Sequence, residues 1–168
     1  MAMLAAKRKA TSTAKIDPVT GLGNGPMFSH EIEREMARYK RTGEPFSILV
    51  LATEPIYKGD PSRDTVVAEI LRDLARSEDA PCHLKGRWFG VVLAGAREAG
   101  ARAALARLRR ETDWKPGVPL TQPLTGGVAE WTNKMADMED LVERAYEDLA
   151  TYDAAIKSES GRWLPNQP

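Results

Sequence analysis

The sequence predicts an α/β or α+β domain in which one mixed central sheet is covered by helices. Three observations lead there. Stretches with apolar residues at helical spacing alternate with short, nearly continuous apolar runs, as they do when helices cover a sheet. Two of the short runs, at 82–85 and 88–93, flank a tight glycine turn and read as a hairpin, so the sheet is not purely parallel. And 168 residues, 42% of them hydrophobic, are enough to bury one core.

The elements follow in order. The opening MAMLAAKRKATSTAK puts its apolar residues before its positive charges, the reverse of a secretory signal. Residues 1–16 are therefore read as a basic tail or a lead-in helix. Residues 17–26, DPVTGLGNGP, are turn chemistry, with Asn24 serving a turn and Pro26 suited to the first turn of a helix. That helix continues as MFSHEIEREMARYKR, with Met27, Phe28, Ile32 and Met36 at helical spacing, and stops at Gly43-Glu44-Pro45. Phe46 to Ala52 is a buried strand, and 53–63 a polar loop. Asp64 opens the second helix, DTVVAEILRDLAR, as its cap. After the hairpin come a helix over roughly 96–112, a strand from Leu124 to Trp131 and a helix from about Asp137 to Lys157. Gly161-Arg162-Trp163-Leu164 adds a last short strand. The domain spans 17–164, and 165–168 is a tail.

Composition excludes several classes. Lys plus Arg and Asp plus Glu number 24 each, so a general nucleic-acid binder, which needs a basic excess, is not expected. Cys82 is the only cysteine, which rules out an internal disulfide and fits a reducing compartment. No apolar run approaches the length of a membrane span. The expectation is a soluble, cytoplasmic protein.

Two blocks stand out: DPVTGLGNGPMF, and the run from Arg76 to Leu93, which contains RSED and KGRWF. With Gly127-Val128-Ala129 and Gly161-Arg162 behind them, their order over 17–163 resembles the GGDEF domain family. Those are the diguanylate cyclases, which make cyclic di-GMP from two GTP molecules. The resemblance implies a nucleotidyl-cyclase-like fold, but not the chemistry. Joining two GTP molecules takes two divalent cations to neutralise the triphosphate and polarise the attacking hydroxyl, and such hard cations need carboxylate oxygens. At the family's first strand-end acid this chain has Ala52, and its Gly-Gly-Asp/Glu-Glu-Phe signature is Lys85-Gly86-Arg87-Trp88-Phe89. Neither alanine, nor an indole N–H, nor a guanidinium can hold a cation.

Glu54 stands where the family has a second strand-end acid, but reads as well as a solvated loop residue. Asp60 and Asp64 are candidate matches to the family's guanine-reading pair. Lys157 falls out of step with Gly161-Arg162. The expectation is a degenerate domain with no catalytic residue, no metal and no cofactor: not an enzyme.

RSED differs. Arg76 and Asp79 lie five residues ahead of the hairpin signature, the offset of the family's Arg-x-x-Asp inhibitory site, which binds the product. A guanidinium can donate twice to guanine O6 and N7, and a carboxylate can accept from N1–H and N2–H on the other edge. The bland reading is a surface ion pair, and Arg110-Glu111-Thr112-Asp113 repeats the bare pattern where no function is implied. Arg107 aligns with an arginine that some members add to this site, or belongs to a solvated helix face. His83 replaces a frequent arginine, and either meets phosphate or is structural. Trp88 and Arg87 have two readings: Trp88 packs over the former cleft while Arg87 pairs with Glu54, or both form an exposed protein contact. The implied partners are cyclic di-GMP, a protein effector and, in one version, a second copy. The alternatives are a ligand-independent scaffold or a GTP-binding allosteric domain.

Overall fold

The computed structural model describes residues 15–53, 62–114, 124–153 and 161–165. Helix α1 (Gly25–Thr42) starts where Asn24, in extended backbone, accepts the Met27 N–H at 3.1 Å, so Asn24 is a helix cap and not only a turn residue. Pro26 sits in the first turn, where a missing N–H costs nothing. Phe28 and Ile32 are buried as the periodicity predicts, with Met27 and Met36 packed at the edge of the core. Strand β1 (Phe46–Ala52) follows, buried at all seven positions.

Helix α2 (Ser62–Leu74) begins two residues before Asp64, which therefore sits in its first turn and does not cap it. Then come β2 (Ala80–Lys85), β3 (Trp88–Ala94), α3 (Glu98–Trp114), β4 (Thr125–Glu130) and α4 (Met138–Ala150). The last is capped by Asp137, whose carboxylate accepts the Asp140 N–H.

The α+β class holds, but the sheet is antiparallel where a mixed one is expected. Its order is β2-β3-β1-β4, with β1 antiparallel to both β3 and β4, and β2 antiparallel to β3. The reason is topological. The crossover through α2 makes β2 run parallel to β1, but the hairpin's return strand β3 lies between them. The crossover through α3 likewise makes β4 parallel to β3, with β1 between. Each parallel pair is separated by one strand, so every ladder is antiparallel. The only parallel pairing among the described residues is the isolated bridge from Gly23 to Cys82.

Strand alternation divides the core in two. Phe46, Ile48, Val50, Ala52, Trp88 and Val92 meet α1 and α4 on one face. Leu49, Leu51, Phe89, Val91 and Leu93 meet α2 and α3 on the other. Helix α4 lies directly on β4 because Gly127 lets it: a Cβ there would strike the Ala145 carbonyl oxygen and the Leu149 nitrogen. The segment at Gly161–Leu164 forms no strand. It is docked by its ring instead, Trp163 standing edge-on to Phe28 at 5.4 Å while its carbonyl accepts the Tyr146 hydroxyl at 2.6 Å. Lys157 lies outside the described residues.

Candidate functional site

The two motifs of the Arg76–Leu93 block end up far apart. The signature hairpin closes the end of the sheet where Ala52 pairs with Trp88 across β1 and β3, so the positions of two expected metal ligands are direct cross-strand neighbours. Both are buried, Ala52 and Trp88 at 2% exposure. The indole stands edge-on to Tyr146 of α4 at 5.4 Å, inside the core. The exposed tryptophan of the contact-surface reading is thereby corrected. Strand alternation puts Trp88 on the same face as Val92, the face that α4 covers, and Tyr146 of α4 supplies a ring for it.

Arg87 turns back on β1. Its guanidinium donates to the Thr53 carbonyl at 3.0 Å and lies over the Trp88 ring at 5.3 Å, while its own carbonyl accepts the Thr53 N–H at 3.0 Å. Glu54 and Asp60 lie outside the described residues. Among the described residues no three His, Cys, Asp or Glu side chains gather as metal ligands do. The side chains at this end, a buried methyl, a buried indole and a guanidinium, do not fit the two cations that the cyclase reaction uses.

His83 is engaged beside this hairpin. Its Nδ1 is 3.0 Å from Asp17 and its Nε2 is 2.7 Å from the Gly86 carbonyl, with the Asp64 carboxylate 3.9 Å away. The ring stacks on Phe89 at 4.7 Å. Asp17 also accepts the Thr20 hydroxyl at 2.7 Å and the Thr20 N–H at 2.9 Å. Burial alone would raise the Asp17 pKa, but the hydrogen bonds from Thr20 and His83 together outweigh it and hold the carboxyl below its ordinary value. His83 thus clamps the DPVTGL turn to the hairpin, and it does not line the cavity described next.

That cavity, about 450 Å³, opens on the α2/α3 side of the sheet at the opposite end of β3. Its floor is apolar, from Leu49, Leu71, Val91, Leu93 and Leu108. Arg76 and Asp79 line one wall, in the loop between α2 and β2, and Arg107 lines another, on α3. The loop is self-locked: the Asp79 carboxylate accepts the Arg76 N–H at 3.0 Å, and the Arg76 carbonyl accepts the Asp79 N–H at 3.0 Å. The bond therefore uses the Arg76 backbone and leaves its guanidinium available.

Asp79 differs from Asp17 in sign. Burial is its largest influence and raises its pKa, the nearby Glu78 carboxylate adds to that, and the Arg76 and Ala94 N–H groups and the Arg76 charge only partly oppose them. A carboxylate with a raised pKa beside an apolar floor is a common mark of a binding site. Three of the four candidate ligand contacts, Arg76, Asp79 and Arg107, thus meet at one cavity. Sequence reasoning missed a further arginine at its rim, Arg97. Of the residues between Arg97 and Arg107, those that line the cavity are the small Gly100, Ala103 and Ala104.

No family model matches the sequence, and no curated protein does. Solved structures do match. The coiled coil and GGDEF domain of DgcB from Caulobacter crescentus, solved in complex with c-di-GMP, has a TM-score of 0.75 at 17% identity, over 91% of this chain and 87% of that one. Diguanylate cyclase SiaD from Pseudomonas aeruginosa, solved with its activator SiaC, has a TM-score of 0.74 at 20% identity, over 91% of this chain and 63% of that one. The GGDEF domain of FimX from Pseudomonas aeruginosa has a TM-score of 0.63 at 22% identity, over 88% and 96%. The antiparallel sheet, its strand order and these likenesses together give the chain a GGDEF-type fold.

Proposed function

We propose that this domain is a receptor for cyclic di-GMP, binding it in the cavity of Arg76, Asp79 and Arg107, and that it does not make the dinucleotide. The observation that carries the reading is the convergence of those three side chains on an apolar-floored cavity, while Ala52 and Trp88 close the opposite end with packed hydrocarbon. A guanine suits such a cavity. Its face rests on the apolar floor, O6 and N7 receive the Arg76 guanidinium, and N1–H and N2–H donate to the Asp79 carboxylate. DgcB was solved with the same ligand on the same fold, which supports the reading.

Titration calorimetry with cyclic di-GMP tests it directly. Binding at micromolar concentration is expected, and no heat in that range overturns the reading. Incubation with GTP and Mg²⁺ tests the second half, where accumulation of cyclic di-GMP would show a live cyclase.

As a receptor the domain passes its state to a protein effector. SiaD and its activator SiaC illustrate one GGDEF protein engaging a partner. A pull-down with and without cyclic di-GMP distinguishes a receptor from a ligand-independent scaffold. The scaffold reading drew on a Trp88/Arg87 surface and on the basic N-terminal tail; Trp88 is in the core, and residues 1–14 of the tail lie outside the described residues. The same proposal puts the domain in the cytoplasm, with GTP and the nucleotides made from it. No described helix is long and apolar enough to cross a membrane.

A further inference from the structure

The cavity holds more positive charge than one guanine requires. Three guanidiniums line it, from Arg76, Arg97 and Arg107, against the single carboxylate of Asp79, which leaves a net of two positive charges. Among the described residues, none of the three guanidiniums makes a hydrogen bond or ion pair, and the Arg76 charge acts on the Asp79 carboxylate of the same cavity. Two other arginines of α3 are engaged, Arg102 by Glu98 and Asp148 and Arg109 by the Leu124 carbonyl, while Arg110 is exposed and outside the cavity.

Arg97 is placed there by a firm turn. The chain leaves β3 through Gly95, whose φ of 75° a side chain would strain. The Ala96 carbonyl is then anchored by the Ser47 hydroxyl at 2.8 Å, and the Arg97 carbonyl accepts the Ala101 N–H as α3 begins. From Arg97 to Arg107 is ten residues, ~15 Å along the helix axis at 1.5 Å per residue. Nothing longer than a methyl lies between them along the cavity wall, at Gly100, Ala103 and Ala104.

We infer that Arg97 is a phosphate-binding residue of this cavity, and that Arg97 and Arg107 together match a ligand with two separate phosphodiester charges. This rests on the cyclic di-GMP reading and sharpens it. A cyclic dinucleotide carries one negative charge on each of two linkages, which balances the net charge of the cavity. The Arg76–Asp79 loop reads the base, and the two ends of the α3 face hold the phosphates.

The experiment is calorimetry with cyclic di-GMP on wild type and on Arg97→Ala, Arg97→Lys, Arg76→Ala and Arg110→Ala, each at two salt concentrations. Arg110 is an exposed α3 arginine outside the cavity and controls for lost net charge. Arg97→Ala is expected to weaken binding ~10-fold, the scale of one charge-assisted hydrogen bond, and to flatten the salt dependence. Arg97→Lys should recover part of the affinity, and Arg110→Ala should bind as wild type. Wild-type affinity in Arg97→Ala, with Arg76→Ala impaired, overturns this inference and leaves the receptor reading standing. Equal losses in Arg97→Ala and Arg110→Ala overturn it too, by reducing it to bulk charge. Absence of binding by wild type removes both.

Discussion

The two ends of β3 differ in how much they leave open. At the Trp88 end, packing fills the space. The indole and Ala52 belong to one hydrophobic cluster, and the nearby polar groups, Arg87, His83 and Asp17, bond to one another or to backbone. At the Ala94 end, the apolar floor stays open and the guanidiniums of Arg76, Arg97 and Arg107 make no hydrogen bond or ion pair among the described residues. Two aspartates make the contrast quantitative in sign. At Asp17, beside the hairpin, hydrogen bonds outweigh burial and the pKa is lowered, whereas at Asp79, in the cavity, burial outweighs hydrogen bonds and the pKa is raised. A finished structural element leaves little for a ligand to improve. An unfinished one does.

The sharpest way to break this contrast is at the filled end. Trp88→Ala should cost ~3–5 kcal/mol, the usual range for emptying a buried aromatic site, read by chemical denaturation at constant slope. A loss under ~1 kcal/mol, the scale of a surface substitution, would mean the indole is not part of the core. At the open end, Arg76→Ala should leave stability nearly unchanged while weakening cyclic di-GMP binding by ~1–3 kcal/mol, the worth of a bidentate guanine contact. If stability falls instead and affinity holds, the loop is structural and the ligand lies elsewhere.

The pH response refines the comparison. Ligand donors require the ionised form of Asp79, so affinity should decline as pH falls through its raised pKa. Asp79→Asn should bind more weakly at neutral pH and show a flat profile, which calorimetry from pH 7 to pH 4 would reveal.

The smallest effects concern the unliganded protein, and here the two aspartates should move oppositely. A raised folded-state pKa gives stability that is present in acid and lost as pH rises through that pKa, so ionised Asp79 is a net cost at neutral pH. Asp79→Asn should therefore raise Tm at pH 7 and not in acid. A lowered pKa gives stability present at neutral pH and lost as pH falls through the folded value, so Asp17→Asn should lower Tm at pH 7 and converge with wild type in acid. Shifts of the same sign in both variants would contradict the assignment.

Much of this was legible in the sequence because it rests on local signals. Helix periodicity, Pro26, the apolar runs and the turn at Gly86 are written within a few residues, and they placed the described elements to within a few positions, except that α4 ends at Ala150 where the pattern runs on to Lys157. The Arg76/Asp79 pair was legible through its offset from the hairpin. What escaped depends on distant partners. Strand direction depends on which strand lies between which, and no local pattern records that. The fate of Trp88 was set by Tyr146, and that of His83 by Asp17, each remote in the chain. Arg97 escaped because it precedes its helix, where no periodic pattern points to it.

Cys82 offers a built-in clock for the edge strand β2. It is the only thiol in the chain, it is fully buried, and burial, helped by the Glu31 charge, pushes its pKa up to about 12. A thiol both shielded and protonated is inert to alkylating reagents until the strand lifts away. Its labelling rate therefore counts openings of β2, whose two ends lie beside Asp79 and the hairpin. A ligand gripping the Asp79 end should slow that rate, with no probe introduced.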